Sequence, residues 1–207
     1  MSEQLTTDTS GNQLFPVFFR LDKLQLLVVG GGLVGLEKTT AIFKNSTNAQ
    51  VTIVAPEIRP EIVALAQQFP KLKLIFKPYD KGDLEGMDLV VAATCITELN
   101  QQVRSDAKAL KILINVADTP ESCDFYLGSV VKKGELKIAI STNGKSPTFA
   151  KRIRELLEDV LPDSIDKVLD NLRHLRERLK GDFEYKVKKL DEITSVMRED
   201  SEREEGK

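Results

Sequence analysis

The first strong pattern in the chain is an apolar run that ends in a cluster of glycines. Five of the six residues in 24–29 are apolar, and the run leads directly into Gly30, Gly32 and Gly35. Residues 36–43 then have the spacing of a helix. In this strand–turn–helix context a G-x-G-x-x-G pattern predicts dinucleotide binding, because the glycines allow a tight turn, close approach of a pyrophosphate and close helix packing. The alternative is a tight turn in a sheet that binds no nucleotide.

Downstream of this turn, the apolar pattern alternates between short strands and helices. Strands are predicted at 51–55, 72–76, 87–93 and 111–116, with helices at 61–69 and 98–109. The run at 87–93 is continuously apolar, which is typical of a parallel strand covered on both faces. The alternation predicts an α/β fold with a Rossmann-like, doubly wound parallel sheet. Residues 15–21 are apolar but include Pro16, which favours an edge segment against the sheet over a central strand.

The pattern changes after residue 117. Segments 125–131 and 135–141 flank Lys132-Lys133-Gly134 and predict a β-hairpin. From Ser146 onward the spacing is helical, and Ser146-Pro147 supplies an N-cap and a first helical residue. Two more helices are predicted, one from Pro162-Asp163 and one after Gly181-Asp182 to about Arg198. The apolar stripe of the first of these two needs a partner surface, for which another subunit is one candidate.

Composition narrows the possible partners. The chain has 207 residues, 41% of them apolar and 30% charged, with a net charge of −2. It shows no strongly basic stripe, so no nucleic acid is expected, and no apolar run reaches the roughly 18 residues of a membrane span. The polar N-terminus lacks the apolar region of a secretory signal. Cys95 and Cys123 form neither a disulfide framework nor a metal cluster, so we expect a cytoplasmic protein.

Ligands of such a sheet bind at the carboxyl ends of its strands, where several polar residues are expected. Glu57 follows the second strand, about 22 residues past Gly35. An acidic residue there accepts hydrogen bonds from the adenosine ribose and favours NAD over NADP; the alternative is a solvated turn carboxylate. Thr94 ends the strand beside the expected cofactor, with Asn100 opening the next helix. An ordinary strand end and helix cap is an equally good interpretation.

Asp118 follows the fifth predicted strand, where a substrate beside a nicotinamide would lie. A general base must reach the proton that it removes, and an aspartate at this point is placed to do so. The sequence Asp118-Thr119-Pro120 is also good turn chemistry, so a turn role stays open. The loop 141–147 leads into a helix N-terminus and suits phosphate or carboxylate groups. His174, the only histidine, is expected to be a solvated side chain on its helix.

Several blocks of these residues resemble the precorrin-2 dehydrogenase and sirohydrochlorin ferrochelatase family, which includes the NAD-binding N-terminal part of siroheme synthases. The resemblance extends from about Phe15 to Leu157. Its blocks are Leu14-Phe15-Pro16-Val17-Phe18, the segment 28–38, Ala92-Ala93-Thr94 with Asn100, Asn115-Val116-Ala117-Asp118, Cys123-Asp124-Phe125 and the segment 140–147. The last two blocks are the most specific, because they are not general features of Rossmann folds.

The resemblance implies NAD as cofactor, contacted by Leu33, Val34, Pro56 and Glu57, and Asp118 as the catalytic residue. The resulting predicted cofactor-binding residues are Gly30, Gly31, Gly32, Leu33, Val34, Pro56, Glu57 and Thr94; the predicted substrate-binding residues are Ser141, Thr142, Asn143, Gly144, Lys145 and Ser146. The resemblance also implies three parts of the chain: an NAD-binding Rossmann domain at 14–117, a β dimerisation segment at 118–145 and a helical domain at 146–207. The polar residues before them predict a disordered arm at 1–13.

The function implied is NAD-dependent dehydrogenation of precorrin-2 to sirohydrochlorin in siroheme biosynthesis, by an intertwined homodimer. Iron insertion, which some members also carry out, is left open because the chain has one histidine. The chain has no room for the uroporphyrinogen methyltransferase domain of fused relatives, so methylation is expected from another protein. One alternative is a non-catalytic NAD-binding regulatory module, which needs the glycine turn but not Asp118 or the loop 141–147. Another is a dehydrogenase of a small substrate, with a more closed site.

Overall fold

The structure, a computed structural model, describes residues 11–195. Five strands form one parallel sheet: β1 Gln25–Val29, β2 Gln50–Ala55, β3 Leu72–Phe76, β4 Leu89–Ala92 and β5 Leu113–Val116. Three helices connect them: α1 Leu33–Asn45, α2 Pro60–Gln68 and α3 Thr97–Ala109. The strand order is β3-β2-β1-β4-β5, so the direction of winding reverses between β1 and β4. The predicted fold class is confirmed, and the switch point places a ligand crevice beside the glycine turn.

The central strand β1 contributes to two hydrophobic cores, one on each face of the sheet. Leu26 and Val28 belong to the core that includes Phe43 from α1, whereas Leu27 and Val29 belong to the core that includes Val103 from α3. Side chains of a strand alternate between faces, so an uninterrupted apolar run is what a strand covered on both sides requires. This burial makes the sheet a rigid support for the loops at its carboxyl edge.

The rest of the described chain contains a two-stranded sheet and three helices. These are β6 Ser129–Lys133, β7 Leu136–Ile140, α4 Pro147–Val160, α5 Ile165–Arg178 and α6 Phe183–Thr194. Within the described residues, the backbone divides into two compact units, one comprising 11–130 with 139–152 and the other 131–138 with 153–195. The predicted bounds of the four parts stay predictions. No helix within residues 11–195 is long and apolar enough to cross a membrane.

One of two local predictions is wrong. The hairpin turn is formed by Gly134 and Glu135, not by Lys132-Lys133-Gly134, because both lysines still lie in β6. Gly134 has a φ of 55°, and this left-handed conformation places the turn there. The segment 15–21 forms no strand, which agrees with the prediction against a central strand. At its end the Leu21 carbonyl accepts the Gln50 N–H at 3.0 Å, and the Phe19 ring lies edge-on to the Phe125 ring with centroids 6.1 Å apart.

Some predictions fall outside the residues that the structure describes. They are the disordered state of residues 1–10 and the end of the last helix near Arg198. Within the described range, α6 ends at Thr194 and begins behind Asp182, whose carboxylate accepts a hydrogen bond from the Tyr185 N–H at 2.9 Å. The predicted helix start after Gly181-Asp182 is therefore correct.

Candidate dinucleotide and substrate site

The glycine turn is packed between its neighbouring loops and open on one side. Gly30 has a φ of 124°, and a β-carbon there would collide with the Ala93 carbonyl. A β-carbon on Gly31 would collide with the Glu57 carbonyl, and one on Gly35 with the Gly30 carbonyl. On Gly32, by contrast, a β-carbon would meet no atom of the described residues within 4 Å. Three glycines are thus needed for packing, whereas Gly32 leaves space for a ligand.

The start of α1 suits a phosphate group. Gly32 is the N-cap residue, and the first turn of α1 contains no acidic side chain. The side chain of Leu33 is 69% exposed at this helix start, whereas Val34 is partly buried. Unpaired N–H groups and the positive end of the helix dipole attract anions, so these residues fit the pyrophosphate of a dinucleotide.

The loop after β2 is fastened to the glycine turn. Gly30 donates its N–H to the Val54 carbonyl at 3.0 Å, and the Arg59 N–H donates to the Gly31 carbonyl at 3.0 Å. Pro56 and Glu57 are exposed on this loop. The predicted cofactor residues 30–34 and 56–57 are therefore brought together at one edge of the sheet, as an adenosine site requires.

Thr94 is held in place by Asn100. The Thr94 hydroxyl donates to the Asn100 side-chain oxygen at 2.7 Å, and the Asn100 amide donates back to the Thr94 carbonyl at 3.0 Å. Asn100 is buried in the first turn of α3 and is not its N-cap, which is Ile96. The interpretation of Asn100 as a cap is wrong, because its side chain supports the Thr94 loop instead.

Asp118 lies in a turn beyond β5 with an exposed side chain. Its φ is 59°, a left-handed conformation that a residue with a β-carbon seldom adopts. On one side of it, the Ala117 N–H donates to the Ala92 carbonyl at 2.9 Å, which ties the turn to the end of β4. Strained backbone of this kind persists only where the surroundings enforce it, and it is concentrated at functional sites.

The segment 123–125 runs back along β5 and braces this turn. Asp124 donates its N–H to the Ile114 carbonyl at 2.7 Å, and its carboxylate accepts the Ile114 N–H at 3.1 Å. The Cys123 sulfur accepts the Val116 N–H at 3.2 Å and lies 3.2 Å from the Val116 carbonyl and 3.4 Å from that of Thr119. Burial is the main cause that raises the pKa of the Cys123 thiol, so it stays protonated and able to donate at neutral pH.

The loop 141–146 is closed by its own hydroxyl groups. The Thr142 hydroxyl donates to the Ser146 carbonyl and accepts the Ser146 N–H, both at 3.2 Å. Asn143 and Gly144 have positive φ values of 52° and 74°, and Lys145 is exposed. Ser146 caps α4 as predicted, since its hydroxyl accepts the Phe149 N–H at 3.1 Å. The hydroxyls of Thr142 and Ser146 shape the loop, while Lys145 extends into solvent.

The remaining sequence predictions concern His174 and a metal site, and one residue near the glycine turn, Arg59, was not predicted. His174 is exposed in α5, with Nδ1 3.7 Å from a Glu177 oxygen. Residues 11–195 contain no group of three histidine, cysteine or acidic side chains arranged to hold a metal ion, and both cysteines are free thiols. Sequence reasoning overlooked Arg59, although an arginine two residues after the expected ribose-binding acid was a visible signal.

Comparison with known proteins agrees with this geometry. The family model described as "Putative NAD(P)-binding" matches residues 17–129, and the model described as "Sirohaem biosynthesis protein central" matches 133–159. The siroheme synthase of Psychrobacter arcticus is 38% identical over 85% of the chain and 31% of its own length. That of Pseudoalteromonas translucida is 36% identical over 84% of the chain and 36% of its own length. The chain thus spans about a third of the length of these relatives.

A solved structure, "SirC, precorrin-2 dehydrogenase", superimposes with a TM-score of 0.71 at 28% identity, covering 87% of this chain and 89% of that one. The order of the two family matches confirms the resemblance predicted from the motif blocks. The first match also confirms the predicted cofactor as an NAD(P) dinucleotide, which the open space at Gly32 fits. The chain therefore belongs to this NAD(P)-binding family.

Proposed function

We propose that the protein is an NAD-dependent precorrin-2 dehydrogenase that produces sirohydrochlorin for siroheme biosynthesis. The observation that carries the proposal is the position of Asp118, which is exposed in an enforced left-handed turn beside the end of β4 and the switch point of the sheet. The names of the siroheme synthases and of SirC, precorrin-2 dehydrogenase, support the same reaction. A regulatory NAD module would need no strained carboxylate at this edge of the sheet.

The reaction removes a hydride and a proton from precorrin-2. NAD⁺ bound at the glycine turn would supply the hydride acceptor. Asp118 accepts the proton from the substrate carbon skeleton and passes it to solvent, so the balance is precorrin-2 and NAD⁺ giving sirohydrochlorin, NADH and a proton. In this proposal the dinucleotide is held by Gly30–Val34, Pro56, Glu57 and Thr94. The Glu57 carboxylate accepts hydrogen bonds from the ribose hydroxyls.

The loop 141–146 is proposed to bind the carboxylates of the tetrapyrrole. Its left-handed residues turn the chain sharply before α4, and the exposed Lys145 adds a positive charge to backbone donors at the helix start. We also propose that the protein forms an intertwined homodimer that builds the sites. We further propose that it is located in the cytoplasm. The free thiols of Cys95 and Cys123 support the location, since disulfides form in oxidising compartments.

The proposal is tested by an anaerobic spectroscopic assay with fresh precorrin-2 and NAD⁺. We expect a sirohydrochlorin spectrum only with enzyme and NAD⁺, and a loss of about a hundredfold or more in kcat for Asp118→Asn. Asp159→Asn removes an exposed carboxylate from α4 and serves as the control that keeps the wild-type rate. Full activity of Asp118→Asn would remove Asp118 from the mechanism, and NAD binding without any oxidation would favour the regulatory module. Addition of Fe(II) afterwards tests iron insertion.

A further inference from the structure

The loop between β2 and α2 contains two side chains with opposite preferences for the cofactor. An acidic residue after the second strand of a Rossmann fold selects NAD through the ribose hydroxyls, whereas a nearby arginine accommodates the 2′-phosphate of NADP. This loop has the acid at Glu57 and an arginine at Arg59. The Arg59 N–H is bonded to the Gly31 carbonyl at 3.0 Å, so its backbone is fixed against the dinucleotide turn.

The Arg59 guanidinium is already engaged by an acid on its own helix. Its Nη2 donates to Oε1 of Glu61 at 2.7 Å, in the first turn of α2. This hydrogen bond lowers the pKa of the Glu61 carboxyl, which is therefore ionised at neutral pH. The Nε of Arg59 is buried and has no hydrogen-bond partner among the described residues. The guanidinium is therefore only partly satisfied, although arginine is suited to bidentate binding of phosphate.

We propose that Glu61 sets the preference for NAD over NADP by occupying the Arg59 guanidinium, which would otherwise bind the 2′-phosphate. Glu61 and a phosphate compete for Nη2 of Arg59, and Glu61 has the advantage because it lies only two residues further along the chain. The carboxylate of Glu57 also repels the 2′-phosphate of NADP. The proposal rests on the dinucleotide-binding half of the proposed function and not on the identity of the second substrate.

A purely structural role makes a different prediction. An acidic residue in the first turn of a helix is favourable on its own, and a half-exposed ion pair contributes little to stability. The side chains of Arg59 and Glu61 are 39% and 50% exposed. If the pair were only structural, its removal would alter stability slightly and leave the relative affinities for the two cofactors unchanged.

The test is the Kd of NADH and of NADPH, measured by calorimetry at fixed ionic strength on the full-length protein. We expect Glu61→Gln to lower the ratio of the NADPH Kd to the NADH Kd about tenfold, the scale of one hydrogen bond to a charged group. The double variant Arg59→Gln with Glu61→Gln should lose this gain. Asp22→Asn is the matched control, because it breaks the Arg20–Asp22 pair of 2.8 Å, in which the acid also follows the arginine by two residues.

The outcomes separate the two proposals. An unchanged ratio in Glu61→Gln, with NADH still bound, overturns the role of Glu61 alone. A gain that survives in the double variant also overturns it, because the phosphate would then be bound by another group. Failure of the wild-type protein to bind either dinucleotide overturns this inference and the proposed function together.

Discussion

The backbone at Asp118 decides which substitution is informative there. Alanine would have to adopt a φ of 59° at a cost of roughly 1–2 kcal/mol, whereas asparagine tolerates that conformation about as well as aspartate does. Asparagine also keeps the size of the side chain and removes only the charge and the basic oxygen. A loss of activity in Asp118→Asn is therefore attributable to proton transfer and not to a distorted turn.

Cys123 is expected to act as a positioning residue, because its thiol lies between the backbone groups that flank Asp118. Removing it in Cys123→Ala leaves the Val116 N–H without its partner, at a cost of about 1–3 kcal/mol in the free energy of unfolding. Cys123→Ser keeps both a donor and an acceptor and should recover part of the loss. Denaturant unfolding measures the loss of stability. A lower kcat with an unchanged KM is the expected signature of a displaced Asp118. Equal kcat in wild type and Cys123→Ala would leave the thiol a purely structural role.

The same thiol predicts a dependence of stability on pH. Its pKa is higher in the folded than in the unfolded chain, since burial penalises the thiolate. The folded state therefore holds the proton more tightly, and its stability falls as the pH rises above the ordinary thiol pKa of about 8.5. We expect this part of the decline in the unfolding free energy to vanish in Cys123→Ser. Cys95→Ser, which replaces an exposed thiol, is the control substitution.

At the scale of elements, helix α4 offers a test of the substrate loop. Ser146→Ala removes the cap of the helix and should cost about 1 kcal/mol of stability, measured by denaturant unfolding. Ser146→Asp keeps a capping oxygen and complements the helix dipole, so its stability should match the wild type. If the loop binds substrate carboxylates, the added charge should raise KM for precorrin-2 about tenfold or more by repulsion. An unchanged KM in Ser146→Asp would place the carboxylates elsewhere.

The sequence predicted the elements that have a strong local signal. The strand 72–76 has the predicted bounds, and the cap at Ser146 follows from the residue type and the proline behind it. The prediction began the hairpin turn too early, because lysine is compatible with a strand and both lysines continue β6. The positive φ of Gly134 determines where the turn lies. The bracing of Asp118 by Cys123 and Asp124 was not predictable, since those contacts depend on a segment that folds back along β5.

At the scale of the whole molecule, the proposed homodimer is the prediction with the most consequences. Several side chains near the N-terminus of the described region are exposed although they are apolar: Leu14, Phe15, Val17 and Phe18. A second copy of the chain would cover such a surface, and most oligomers of identical chains are two-fold symmetric. Sedimentation equilibrium should give twice the chain mass of 23.1 kDa, whereas the single mass would contradict the dimer.

A mixing experiment then decides whether each site is built from two chains. Asp118→Asn and Ser146→Asp are assayed together after subunit exchange, at precorrin-2 concentrations below the KM of the second variant. If Asp118 of one chain serves the loop 141–146 of the other, one site in each mixed dimer carries neither substitution. Half of the dimers are mixed, so about a quarter of the wild-type rate should return. If both groups of a site come from one chain, each site in the mixed dimer keeps one substitution, and mixing restores nothing.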